Sequence, residues 1–286
     1  MILMKKLTYP LSLLCLLFIL PGCETVVEAE LPAPESALVV NAVINPDSLF
    51  TVDVSASQSA FSGGSHGPVA TATIQVYQAN QLLYTLEHQG NGIYSTTQAP
   101  QMLQHYQLQV QAPGFPAATA ATYIPAKPVI GRLTAATEAA TEWQGPSVSA
   151  SFVLTDPPAQ DNYYFVQAYT PDSSYVDGHA YNRSVGLKIA APFEAEFTMG
   201  DRYFFSDKLF EGKEVPLRLR LDNSPEATTF VRVAHITRTY YDYVRTLDKQ
   251  SYRDNFATLP GPVANNIKDG MGLFGGYSAV TLAVKP

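Results

Sequence analysis

Cysteine is nearly absent: the 286-residue chain has two, Cys15 and Cys23, beside a single tryptophan, Trp143. That excludes a disulfide framework and leaves too little sulfur for a thiolate zinc site. Charge is sparse too, at 15% of residues, and the formal balance of -7 leaves nothing to recruit nucleic acid or an anionic membrane face. The five histidines, at 66, 88, 105, 179 and 235, show no paired spacing that would suit a metal. "GGSHG" lacks the strand-to-helix context of a nucleophile elbow, and the glycines of "GMGLFGG" precede a strand instead of a helix N-terminus, so neither acyl transfer nor phosphate binding is written locally. No cofactor is expected.

What is present begins at the N-terminus. Lys5 and Lys6 precede an apolar run, Leu11 to Leu20, which is too short to span a bilayer and has the layout of a secretory signal. It closes on Leu20-Pro21-Gly22-Cys23, which resembles the lipobox of bacterial lipoproteins, with Pro21 a departure from the usual residue. Cys15 lies inside the discarded segment, so Cys23 would be the sole thiol of a mature, exported chain, and lipidation of Cys23 is the chemistry that explains it. Several acyl chains on one residue give a lasting anchor where a single chain would not. Residues 1–22 therefore read as the signal peptide and 23–36 as a lipidated acidic tether, its glutamates Glu24, Glu28, Glu30 and Glu35 interleaved with Pro32 and Pro34. Acids close behind the cysteine resemble the surface-export signals of lipoproteins in Bacteroidota-type bacteria. The expected location is the outer membrane, on its outer or its periplasmic face.

The remainder is predicted to be mainly β. Apolar and polar residues alternate in "LFTVDVS" and "YQLQVQ", with "ALVVNAVI", "ATIQVY" and "LLYTLE" between turn sequences at Asn45-Pro46-Asp47, Ala79-Asn80, Gly90-Asn91-Gly92 and Pro113-Gly114. Strands at this spacing argue a β-sandwich over 37–127 with glutamine, threonine and serine outward. "TYIPAKPVI" marks a boundary, and 128–286 reads as a second β-rich, sandwich-like domain. "SVSASFVL", "NYYFVQAY" and "EVPLRLRLD" are its strands, expected to have one wet face. In "ITRTYYDYVRTLDKQ" the period changes to three or four, predicting one helix near 236–250, capped by Thr237 or Thr239 and packed through Tyr240, Val244 and Leu247. Charge separates the halves: Glu24 to Lys127 carries one basic residue and Pro128 to Pro286 fifteen.

Candidate chemistry is thin. Asp156, Asp161, Asp172 and Asp177 read as solvated turn acids, and His66 in the loop "FSGGSHGP" as a solvated side chain. Only folding could bring a carboxylate pair together. The aromatic clusters Tyr163-Tyr164-Phe165, Tyr203-Phe204-Phe205 and Tyr240-Tyr241-Tyr243 serve either cross-strand packing, the favoured reading, or an outward-facing binding surface.

The lipobox, "VVNAVINPDSLFTVDVS", "GNGIYS" with "YQLQVQAPGFP", "FSDKLFEGKEVPLRLRL", "YYDYVRTL" and above all "NNIKDGMGLFGGYS" fall in an order that resembles a Bacteroidota lipoprotein family, the domain of unknown function 4249, over essentially the whole chain. The resemblance implies an immunoglobulin-like or transthyretin-like first domain, a second β-rich domain, and genes beside TonB-dependent outer-membrane receptors. It brings no catalytic residues. The expectation is thus a non-enzymatic, lipid-anchored accessory protein that assists such a receptor in nutrient capture. A glycan-binding or hydrolytic surface lipoprotein, and an adhesin or envelope module, are the alternatives.

Overall fold

A computed structural model of the chain describes residues 36–58, 67–140, 145–176, 179–190, 194–251 and 261–285, without the side chains of 172–181 and 251. Strands β1 (Leu38–Ile44), β2 (Thr51–Ala56), β3 (Gly67–Pro68), β4 (Thr73–Gln78), β5 (Gln81–Thr85), β6 (Glu87–Gly90), β7 (Ile93–Ser95), β8 (His105–Gln111) and β9 (Ala118–Tyr123) come first. After the proline-flanked segment follow β10 (Val129–Ile130), β11 (Thr134–Glu138), β12 (Ser147–Thr155), β13 (Tyr163–Val176), β14 (His179–Ser184), β15 (Leu187–Ala190), β16 (Phe197–Met199), β17 (Arg202–Ser206), β18 (Glu214–Leu221) and β19 (Thr229–Ile236). Helix α1 (Arg238–Ser251) and the long strand β20 (Met271–Val284) complete the order. The protein is mainly β, with three sheets and one helix among the described residues.

Turn chemistry sets the early hairpins. Ala79 and Asn80 both take positive φ between β4 and β5, and Asn91 and Gly92 do so between β6 and β7, the backbone twist that two-residue hairpins favour. At Asn45 the side-chain oxygen accepts the Asp47 amide at 3.0 Å, closing an Asx turn. β5-β4-β8-β9 form a four-stranded sheet. Its inward residues Ile74, Val76, Leu108 and Val110 pack with Val40 of β1, Val54 of β2 and Phe50 just before β2, and also with Ile267 and Phe274 from the last part of the chain.

The largest sheet, of eleven strands, runs β16-β17-β13-β19-β20-β1-β2-β7-β6, with β14 and β3 on side branches. β20 is its hinge line. Met271 to Gly276 pairs parallel with β1, and Tyr277 to Val284 pairs antiparallel with β19. Two glycines let β20 run this tightly: Gly272, at φ +115, leaves no room for a Cβ against the Val40 carbonyl oxygen of β1, and Gly276 none against the Tyr123 carbonyl oxygen at the end of β9.

A five-stranded sheet, β10-β12-β18-β15 with β11 beside β12, covers one side of β13, β17 and β19. Helix α1 covers the other, burying Tyr240, Tyr241 and Val244 against Tyr163, Phe165, Phe204 and Ile236. The expectation of one wet face holds for β12 and β18 and fails for β13: Tyr163, Tyr164, Phe165 and Val166 are all buried. A strand buried on both sides can be apolar continuously, and "YYFV" is. Thr237 is the helix cap, its Oγ1 accepting the Tyr240 amide at 3.4 Å. Leu247, expected in the packed face, is 36% exposed; Tyr241 takes that place.

Candidate functional site

The outer face of the four-stranded sheet follows from its period. With Tyr106, Leu108 and Val110 turned inward, β8 must turn Gln107, Gln109 and Gln111 outward, and β4 does the same with Gln75 and Tyr77. Between these strands, the β4–β5 turn and the segment before β20 lies an open groove of about 660 Å³, lined by Tyr77, Asn80, Gln107, Gln109, Asn266 and Lys268 among others. The Tyr77 hydroxyl donates to Gln75 Oε1 at 3.0 Å and reaches Gln109 Oε1 at 3.4 Å, which holds the ring across the sheet.

The far wall is built by the glycine-rich tail. Asn266 donates through Nδ2 to the Phe274 carbonyl at 2.8 Å and accepts the Phe274 amide at 2.9 Å, taking the place of a paired strand along β20. Next to it, Lys268 exchanges two backbone hydrogen bonds with Thr119 of β9, at 2.8 and 3.0 Å, and so sets its exposed ammonium at the groove. Amides, a phenol and one cation converge on a floor of small and apolar groups. Such a surface can bind and orient a neutral polar chain, because amides both donate and accept and cost less to desolvate than ions.

Folding also does what local sequence could not show, and brings two carboxylates together. Asp156 and Asp207 are 2% and 3% exposed, so the expectation that Asp156 is a solvated turn acid is corrected. Tyr164 donates its hydroxyl to Asp156 Oδ1 at 2.7 Å, Gly212 its amide to Oδ2 at 2.8 Å, and Asn162 its amide to Asp207 Oδ2 at 2.7 Å. Burial, reinforced by the bond to Asp156, pushes the Tyr164 phenol far up, and burial together with the Asp156 charge raises Asp207. Tyr164 stacks on His235, whose Nδ1–H donates to the Ala126 carbonyl at 3.2 Å and whose pKa burial lowers. Both Asp156 oxygens and Asp207 Oδ2 are spent on these bonds. The network ties the turns after β12 and β17 to β13.

Asp161, by contrast, is exposed and 3.3 Å from Arg238. His88, His105 and His235 each lie against a tyrosine ring, in three separate places. Among the described residues no group of three His, Cys, Asp or Glu could hold a metal ion. Of the aromatic clusters, Tyr163, Tyr164, Phe165, Phe204, Phe205, Tyr240 and Tyr241 are buried, so their role is packing and the outward-facing reading is set aside. Cys23, the acidic tether, the loop residues 61–66 with His66, Trp143 and Asp177 lie outside the described residues. The groove residues carried one sequence signal, the run of glutamines alternating with apolar residues on β8.

Residues 24–283 match the family described as Domain of unknown function (DUF4249), and the chain belongs to that family. Comparison with the curated proteins finds no match. Within the matched residues, the stretch "NNIKDGMGLFGGYS" supplies Asn266 and Lys268 to the groove and then runs into β20.

Proposed function

We propose that this is a lipid-anchored outer-membrane protein, held by Cys23 on an acidic tether, that assists a TonB-dependent receptor in nutrient capture by binding and not by catalysis. Its working face is the amide groove of the four-stranded sheet. The observation that carries this reading is the groove's composition: Tyr77, Asn80, Gln107, Gln109 and Asn266 offer hydrogen bonds and contact area with a single cation, Lys268, among them. A surface of this kind docks on a polar partner with little desolvation penalty, and tyrosine supplies area at low entropic cost. The domain reading belongs to the same proposal, with residues 37–127 as an immunoglobulin-like or transthyretin-like sandwich and 128–286 as the second domain.

The test is affinity purification of the full-length lipoprotein from gently solubilised native membranes. A large outer-membrane β-barrel should accompany the wild type and should be lost from a Gln107→Ser/Gln109→Ser variant of unchanged stability. The Cys23→Ser variant should leave the membrane fraction. A lone monomer that binds or hydrolyses neutral glycans would instead establish a self-sufficient surface lipoprotein.

A further inference from the structure

The second surface of interest lies on the five-stranded sheet. β18 turns Val215, Leu217, Leu219 and Leu221 into the core, so Arg218 and Arg220 must point outward, and β15 alternates likewise around Lys188. The register places Lys188 directly opposite Arg220. Side chains so paired stand about 5 Å apart at Cβ, and like charges in that position destabilise the ladder. Arg218 follows two residues along the same strand, about 7 Å away by strand geometry. A chain with more acid than base has thus gathered three cations on one sheet face.

Among the described residues an acid of the fold pairs with only one of the three, Arg220, and does so through a long contact. Glu138 of β11 comes within 3.7 Å of Arg220 Nε, beyond hydrogen-bond distance, and its Oε2 already accepts from Ser147 at 3.2 Å. Arg220 Nε makes no hydrogen bond among the described residues. Lys188 and Arg218 form no ion pair among the described residues, and Glu214, the one acid of β18, stands opposite Thr155 at the strand's far end. Around the cations lies a shallow trough of about 510 Å³ whose other outward residues are Glu138, at the Arg220 end, and the small Thr134, Ala136, Ser149, Ser151 and Ala190.

We propose that this face binds an acidic polysaccharide, a polymer that carries carboxylates at regular intervals. Carboxylates lying between the opposed Lys188 and Arg220, and beside Arg218, relieve the repulsion the register imposes, with charge-assisted hydrogen bonds to the guanidinium groups. Flat walls of serine, threonine and alanine admit a ribbon-like sugar chain and offer it hydroxyls. Leu219, the one large aliphatic residue of the described lining, is turned into the core, so the trough presents neither the aromatic or aliphatic anchor on which protein interfaces concentrate their energy nor the apolar wedge that a bilayer surface requires. The site stands apart from the amide groove and does not depend on the receptor reading.

The experiment is affinity electrophoresis and calorimetry of the full mature chain with polygalacturonate, with dextran as the neutral polymer and anionic phospholipid vesicles as the competing surface. Wild type should bind polygalacturonate and not dextran, and binding should weaken at least about tenfold between about 50 and about 500 mM salt, as screening of exposed charges requires. The Lys188→Gln/Arg218→Gln/Arg220→Gln variant should lose at least about tenfold in affinity while its melting temperature stays level or rises, since like charges have been removed. No binding of polygalacturonate by wild type, equal binding by the triple variant, or stronger binding to vesicles than to the polymer would each overturn the proposal.

Discussion

β8 and β13 are both central strands with tyrosines and glutamines, yet they are built on different plans. β8 alternates buried and exposed positions along its whole length, one face on a core and the other in water. β13 is enclosed by the five-stranded sheet on one side and by α1 on the other. The same residue type therefore does different work in each. Tyr77, on the strand beside β8, lines a groove, whereas Tyr163 and Tyr164 are closed into opposite cores. An aromatic cluster in a β protein is a binding surface only if one face of its sheet stays open, and which face stays open depends on what the distant parts of the chain put over it.

The sharpest way to break this arrangement is at the strand that joins the two regions. A Cβ on Gly276 meets the Tyr123 carbonyl oxygen, a backbone atom that cannot swing aside. Gly276→Ala should cost more than about 4 kcal/mol, in the range reserved for clashes that a core cannot absorb. The check is chemical denaturation, where the variant should lack a native baseline or show a greatly lowered midpoint. Gly67, with open space around its Cβ position, should accept alanine with little change and serves as the control.

Next in size is the enclosed face itself. Phe204 is fully buried, stacked on Phe197 at 4.9 Å between ring centroids and edge-on to Tyr240 at 6.3 Å. Phe204→Ala should cost about 3–5 kcal/mol by loss of transfer energy and creation of a cavity, measured by urea unfolding at constant slope. A cost below about 1 kcal/mol would mean that α1 does not close over the sheet, and the two regions would then be alike. Tyr164→Phe should follow at about 1.5–3 kcal/mol, because it leaves a buried Asp156 oxygen without its donor.

Much of this was legible in the residues. The mainly β character, the turns at Asn80, Asn91 and Gly114, and the single helix came from local period and turn chemistry, which are short-range properties of the chain. What escaped was long-range. Nothing near Asp156 announces that the Gly212 amide, 56 positions on, will bind it, and an Asp-Pro-Pro turn is ordinarily wet. Two-sided burial of β13 did leave a mark in the continuous run "YYFV", but a run of that length is equally at home in a one-sided strand with aromatic cross-strand pairs. The splitting of β20 between a parallel and an antiparallel partner, and the convergence of Asn266 and Lys268 on the groove, are set by topology alone.

His235 offers a smaller and pH-dependent probe of the enclosed region. Burial lowers its pKa below 6.5, so the folded protein keeps the ring neutral while the unfolded chain takes up a proton at about that pH. Its contribution to stability is complete above about pH 6.5 and is lost as the pH falls from there through the folded-state pKa. Asp207 has the opposite slope, since its raised pKa means that acid relieves a cost present at neutral pH. Unfolding free energies at about pH 7 and about pH 5.5 should differ in wild type, and His235→Gln should flatten that difference.

The smallest effect on stability is expected where function is proposed. Gln107 and Gln109 stand on the open face of β8, their neighbours Leu108 and Val110 carrying the packing. Serine keeps the strand polar on that side, so Gln107→Ser and Gln109→Ser should each change stability by less than about 0.5 kcal/mol, the usual range for surface positions. The one internal bond at stake is the 3.4 Å contact from Tyr77 to Gln109, which is long and backed by the 3.0 Å bond to Gln75. The pair of substitutions removes two of the amides that line the groove. Unchanged melting together with lost partner retention would assign recognition to this face and separate it from the enclosed aromatics. Unchanged melting with full retention would move the working surface elsewhere on the molecule, while a large loss of stability would mean that the β8 face is covered after all and that the contrast between the two strands is wrong.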